Sequence, residues 1–165
     1  MTTRNLQYLF TPQSVAVIGA SGRDGSVGAA VTRNLLAGGF RGTLRLVNPT
    51  HDRVGDHPCY PDVGSLDMTP QLAVICTPPD SVPGLIVELG VKGTKAAIVL
   101  TAGLGSGADG SGRTLSQAML DAANPHLLRI LGPNCVGLLS PHIGLNAGFS
   151  HEPALPGNLA FVSQS

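Results

Sequence analysis

The chain has 165 residues, 42% of them hydrophobic and only 12% charged, with 22 Gly and 13 Pro. Ten basic residues balance ten acidic ones, so neither a nucleic-acid surface nor an anionic-membrane face is indicated. There is no apolar run of about 18 residues to span a membrane and no signal-peptide core near Met1.

This length fits one domain with a real core. Low charge with abundant Val, Leu, Ala and Gly suits a parallel sheet buried on both faces. Cys59, Cys76 and Cys135 are an odd count without CxxC spacing, and the five histidines are scattered. A disulfide framework and a metal site are therefore not expected, and a reducing cytoplasmic setting is.

In chain order, Val15–Ile18 reads as a buried strand stopped at Gly19, and Val27–Ala37 as a helix ended by Gly38-Gly39. Leu44–Val47 is a second strand, stopped by Asn48-Pro49. His51–Asp67 is polar and reads as irregular. Leu72–Cys76 is a third strand, stopped by Pro78-Pro79. Ser81–Leu89 reads as a helix whose first turn accepts Pro83. Ala96–Leu100 is a fourth strand, Thr101–Gly112 a glycine-rich loop, and Leu115–Ala123 a helix. Leu127–Leu131 is a fifth strand, and Leu159–Val162 is expected to begin a sixth. This alternation predicts a Rossmann-like, doubly wound α/β fold with a mostly parallel sheet of about six strands. A last strand begun without a cover marks residues 1–165 as the N-terminal fragment of a longer protein. The alternative is a short protein whose last strand is a sheet edge.

The breakers all fall at the carboxyl ends of strands: Gly19-Ala20-Ser21-Gly22, Asn48-Pro49, Thr77-Pro78-Pro79, Thr101-Ala102-Gly103 and Gly132-Pro133-Asn134. Turns need breakers anyway, but five on one edge point to the ligand crevice of an open α/β sheet. In the first loop the N–H groups of Ser21 to Gly25, the Ser21 hydroxyl and the helix beginning at Val27 can receive phosphate. The bland reading is a tight turn that needs glycine for packing alone.

The sequence argues against NAD. Glycines 19, 22, 25 and 28 recur every third residue instead of following G-x-G-x-x-G, and Asn48-Pro49 stands where an acid would bind the ribose. Arg23, His51 and Arg53 could neutralise a further phosphate, whereas Arg45, inside a strand, reads as a surface charge. Thr77-Pro78-Pro79 offers a rigid apolar surface suited to adenine or a pantetheine arm, or simply a helix start. Gly103, Gly105, Gly107 and Gly110 allow a mobile loop and close backbone approach. Asn134 can donate and accept across the crevice. Cys135 has no histidine beside it and reads as a small buried hydrophobe in preference to a nucleophile.

As a set, Val17-Ile18-Gly19-Ala20-Ser21, Val47-Asn48-Pro49, Cys76-Thr77-Pro78-Pro79, Gly132-Pro133-Asn134-x-x-Gly137 and Phe161-Val162-Ser163-Gln164-Ser165 resemble the CoA-binding domain of nucleoside-diphosphate-forming acyl-CoA synthetases, the superfamily of succinyl-CoA synthetase α. The resemblance covers Leu9 to Ser165. Asn34-Leu35-Leu36-Ala37-Gly38-Gly39-Phe40 and Gly144-Leu145-Asn146-Ala147-Gly148-Phe149-Ser150 look closer to the branch fused to a GNAT domain, the protein lysine acetyltransferases.

The resemblance implies that the domain binds coenzyme A or acyl-CoA such as acetyl-CoA. It implies pyrophosphate at Ser21-Gly22, adenine near Pro49 and Thr77–Pro79, and the thiol end near Asn134. The cofactor set so implied is Gly19, Ser21, Gly22, Arg23, Val27, Asn48, Pro49, Thr77, Pro78, Pro79, Ala102, Gly103 and Asn134, with no catalytic residue. Many synthetases of the family carry a glutamate in the loop after the fourth strand, where this chain reads Ala102-Gly103-Leu104-Gly105-Ser106. That departure favours the acetyltransferase branch as parent, with an ADP-forming acyl-CoA ligase as the alternative and a free-standing CoA-binding regulator as a third class. The basic residue that often follows Asn-Pro is Thr50 here, leaving His51 or Arg53 to substitute. The implied partners are the parent's other domains. Self-association stays open.

Overall fold

The computed structural model describes residues 3–106, 108 and 110–163. Gly107, Gln164 and Ser165, named in the sequence reading, lie outside them. The elements run α1 (Gln7–Phe10), β1 (Ser14–Ile18), α2 (Val27–Ala37), β2 (Thr43–Val47), β3 (Arg53–Val54), β4 (His57–Tyr60) and β5 (Leu72–Ile75). They continue with α3 (Val82–Lys92), β6 (Ala96–Val99), α4 (Leu115–Ala123), β7 (Arg129–Leu131), β8 (Gly137–Ser140) and β9 (Leu145–Gly148).

Apolar residues fill β1, β5 and β6 almost without interruption, because both faces of these central strands are covered. The seven-stranded sheet has the order β3-β4-β2-β1-β5-β6-β7, and all its pairs are parallel except β3 with β4. Ile18 stands opposite Val47 on one side and Ile75 on the other, so the carboxyl ends of the three strands are level.

Strand alternation divides the core into two layers. Ala16, Ile18, Ala73, Ile75, Ala97 and Val99 face α3 and α4, which bring Val82, Ile86, Leu89, Leu115 and Met119. The row of alanines lets these helices approach closely. Val15, Val17, Leu72, Val74, Ala96 and Ile98 face α1, α2 and the antiparallel pair β8–β9, which bring Leu9, Val31, Leu35, Leu138, Leu145 and Ala147. A hairpin thus covers the part of this face where simple βαβ alternation would place another helix.

The Rossmann-like α/β reading holds, with three corrections. Residues 51–67, read as irregular, contain β3 and β4, which widen the sheet to seven strands. Their shortness hid them, because two and four residues show no period, although Val54 is buried and Cys59 and Tyr60 pack against the core. Leu127 does not belong to the fifth strand, since it sits in a left-handed turn at φ 54. Leu159–Val162 forms no strand; Leu159 is 99% and Phe161 91% exposed. The apolar run has strand composition but no neighbour in this sheet, and β-propensity without a packing surface does not make a strand.

Candidate functional site

The chain steps from β1 outward to β2 and β4, then returns to β5 on the other side of β1. At such a switch point the connections leave in opposite directions and open a crevice beyond the carboxyl ends of the strands. Gly19 sits in it with φ +86, and its N–H and that of Ala20 both donate to the Val47 carbonyl, at 3.0 and 3.1 Å. A Cβ on Gly19 would lie 3.0 Å from Thr77 Cγ2. The β1 and β5 exits therefore touch.

Within the loop, the Arg23 N–H donates to Ser21 Oγ at 3.0 Å. Ser26 caps α2: its hydroxyl donates to the Arg23 carbonyl at 2.8 Å and accepts from the Ala29 N–H at 3.2 Å. The N–H groups of Ser21, Gly22, Asp24, Gly25 and Val27 have no hydrogen-bond partner among the described residues. Open donors at a helix N-terminus fit a phosphate group. Gly22 has room, since the nearest atom to a Cβ there is Val54 Cγ1 at 3.9 Å. Arg23 and Asp24 are both exposed, so the loop brings a cation and a carboxylate together.

Asn48 is committed to the turn. Its amide nitrogen donates to the Ala20 carbonyl at 2.7 Å, and its Oδ1 accepts from Thr50 N, Thr50 Oγ1 and His51 N at 2.8, 2.9 and 3.1 Å. It ties the β2 exit to the β1 exit. Pro49 and His51 stay exposed, and the Arg53 guanidinium donates to the Asp56 carbonyl of its own hairpin. Arg45 reaches Asp67 through two N···O contacts of 2.9 Å, and this hydrogen bonding holds the Asp67 carboxyl below its ordinary pKa.

On the other side, the Thr101 hydroxyl donates to the Thr77 carbonyl at 2.8 Å. Ser81 Oγ lies 2.8 Å from Thr77 Oγ1 and 2.7 Å from the Pro78 carbonyl. A Cβ on Gly103 would come 3.8 Å from Pro79 Cγ, so the β5 and β6 loops meet there. Leu104, 1% exposed, anchors the glycine-rich loop, leaving Ala102 and Gly103 exposed at the rim. The Asn134 N–H donates to the Thr101 carbonyl at 3.1 Å; its side chain is exposed and makes no hydrogen bond among the described residues.

Cys135 Sγ points inward, 3.6 Å from the Val99 carbonyl, and burial raises its pKa. Burial pushes Cys76 up to about 12. Neither is an activated thiolate. A surface hollow of about 560 Å³ lies elsewhere, lined by Asp62, Gly64, Glu88, Val91 and Lys92. Its ammonium is already bound to the Gly64 and Leu66 carbonyls.

Sequence reasoning missed the placement of β8–β9. The Asn34 amide donates to the Gly148 and Ser150 carbonyls at 2.8 and 2.9 Å. A Cβ on Gly38 would lie 2.7 Å from the Gly144 carbonyl oxygen, and one on Gly144 2.4 Å from that of Gly39. Residues 34–40 and 144–150, which stood out together as sequence motifs, are two sides of one contact. Their shared glycines were the available signal.

The fold is that of a Rossmann-like α/β domain with a crevice at the carboxyl ends of its strands. A family model described as "CoA binding domain" matches residues 13–141, and the chain belongs to that family. It is 37% identical over 160 residues to an ADP-forming acetate–CoA ligase I of Archaeoglobus fulgidus, covering 97% of this chain and 23% of the relative. It is 35% identical to the ADP-forming acetate–CoA ligase I subunit alpha of Pyrococcus furiosus, covering 98% of this chain and 36% of that subunit. The dinucleotide-forming acetyl-coenzyme A synthetase 1 of Ca. Korarchaeum cryptofilum, in complex with phosphate and ADP, superposes with a TM-score of 0.83 at 37% identity. That match covers 93% of this chain and 32% of the synthetase. The chain thus spans about a quarter to a third of the length of these relatives. They are ligases, and the expected closeness to GNAT-fused acetyltransferases is not shown by them. No helix among the described residues is long and apolar enough to cross a membrane.

Proposed function

We propose that this chain is the CoA-binding domain of an ADP-forming acyl-CoA ligase. The observation that carries the reading is the Ser21–Val27 loop, with open N–H donors at the switch point and no acid at the end of β2. Its donors suit the CoA diphosphate, with Gly19 and Gly22 keeping the approach clear and Arg23 adding charge. Pro49 and Thr77–Pro79 form the apolar wall for adenine. Ala102, Gly103 and Asn134 continue the crevice toward the thiol end. Asn48 holds the two walls in place.

Coenzyme A supplies the thiol that accepts the acyl group. This chain's residues bind and orient it, and the ligase's other domains, its partners, carry the chemistry. The relatives' names and their greater length support that division. One observation favours a second reading, the acetyltransferase branch: residues 102–106 carry no carboxylate.

Calorimetry on this chain tests the CoA site. Coenzyme A is expected to bind at micromolar affinity and NAD not at all. Binding of NAD without CoA overturns the reading.

A further inference from the structure

The β8–β9 hairpin joins the two ends of the crevice. Asn34 lies on α2, whose N-terminal loop carries the open donors. Its amide spans the Gly148 and Ser150 carbonyls across 114 and 116 residues of sequence. Between those two carbonyls, the Phe149 N–H donates to the Val136 carbonyl at 3.3 Å, and Gly148 pairs with Gly137. Val136 is two residues from Asn134, whose N–H is fixed on Thr101. A short chain of hydrogen bonds therefore runs from α2 to the Asn134 turn. The two carbonyl partners also fix the rotamer, because only the NH₂ end of the Asn34 amide can face both.

The hairpin is held from α2 at its far end too, where the Gly38, Gly39 and Gly144 backbones interlock too tightly for a Cβ at Gly38 or Gly144. With both ends attached, the hairpin cannot shift along α2 without breaking contacts. The distance from the Ser21–Val27 loop to Asn134 is then set through the hairpin as well as through the sheet.

We propose that Asn34 is a positioning residue for ligands that span the crevice. It holds the Asn134 turn at a fixed distance from the phosphate loop without touching ligand. This rests on the CoA reading above, and it separates long ligands from short ones. Coenzyme A reaches from one end to the other; ADP, its nucleotide part without the 3′-phosphate, needs only the first.

Asn34→Asp keeps the shape and turns an oxygen toward two carbonyls. Titrated by calorimetry, the full chain carrying Asn34→Asp is expected to lose CoA affinity by about tenfold or more and ADP affinity by less than about twofold. Equal losses for both ligands, or no loss for either, overturn the proposal. Wild-type protein that binds no CoA overturns the CoA reading itself, before the variant is considered. Should the variant not fold, amide hydrogen exchange on wild type decides: CoA slows exchange at Phe149 and ADP does not. An unchanged Phe149 rate with CoA bound, or equal slowing by ADP, overturns the proposal.

Discussion

A Cβ on Gly28 would lie 2.0 Å from the Gly19 carbonyl oxygen. The first turn of α2 therefore rests directly on the backbone at the end of β1. That contact fixes the start of α2, and with it the loop of open N–H groups, against the end of β1. Among glycines 19, 22, 25 and 28, close helix–strand packing belongs to Gly28 and the left-handed backbone to Gly19 and Gly25. A regular spacing in sequence thus conceals several physical roles.

Gly28→Ala is expected to destabilise the fold by about 3 kcal/mol, because a methyl group cannot fit without moving α2 off β1. Urea unfolding reads the loss. An unchanged midpoint would mean that helix and strand separate freely.

Gly22 behaves in the opposite way. With Val54 Cγ1 3.9 Å from a Cβ and no left-handed backbone, Gly22→Ala folds like wild type. Gly22→Glu is expected to keep the melting temperature and abolish CoA binding by placing a carboxylate among the phosphate donors. Calorimetry beside a thermal melt checks both; normal CoA binding by the Glu variant removes the diphosphate from this loop.

Asn48→Asp keeps the acceptor for Thr50 and His51 but replaces the donor to the Ala20 carbonyl with an oxygen. The expected cost is about 2 kcal/mol, from repulsion and a lost hydrogen bond. The same acid restores the residue type that an NAD site wants. No NAD affinity is expected, since the side chain faces Ala20 and its own turn; calorimetric NAD binding by the variant would contradict that.

Cys76 should resist iodoacetamide at pH 8 in the folded chain and react at once in denaturant, as followed by mass spectrometry. Its folded pKa of about 12 stands above the ordinary 9.0 because burial disfavours the thiolate. Below pH 9 both states hold the proton and stability is unaffected. Between about pH 9 and pH 12 the unfolded chain releases it first, so stability falls across that window. Cys76→Ser should flatten the alkaline limb, and an unchanged limb assigns it to other groups.

β1, β5 and β6 were legible because they are continuous apolar runs, and α2 because its apolar run stops at Gly38-Gly39. The glycine and proline stops were legible because turn chemistry is local. The β3–β4 hairpin was not, since strands of two and four residues are too short to show a period. For the candidate site, the loops were readable but the direction of Asn48 was not: sequence gives an amide, and only packing decides that it faces Ala20.

Sequence alone determined the α/β class, the edge of the sheet where the breakers gather, and the absence of an acid after β2. These follow from local periodicity, turn propensity and residue type. The tertiary structure decided that Leu159–Val162 joins no strand, that a hairpin covers the α2 face, and that Asn34 meets Gly148. Each depends on whether a surface distant in sequence is there to receive it, which no local pattern encodes.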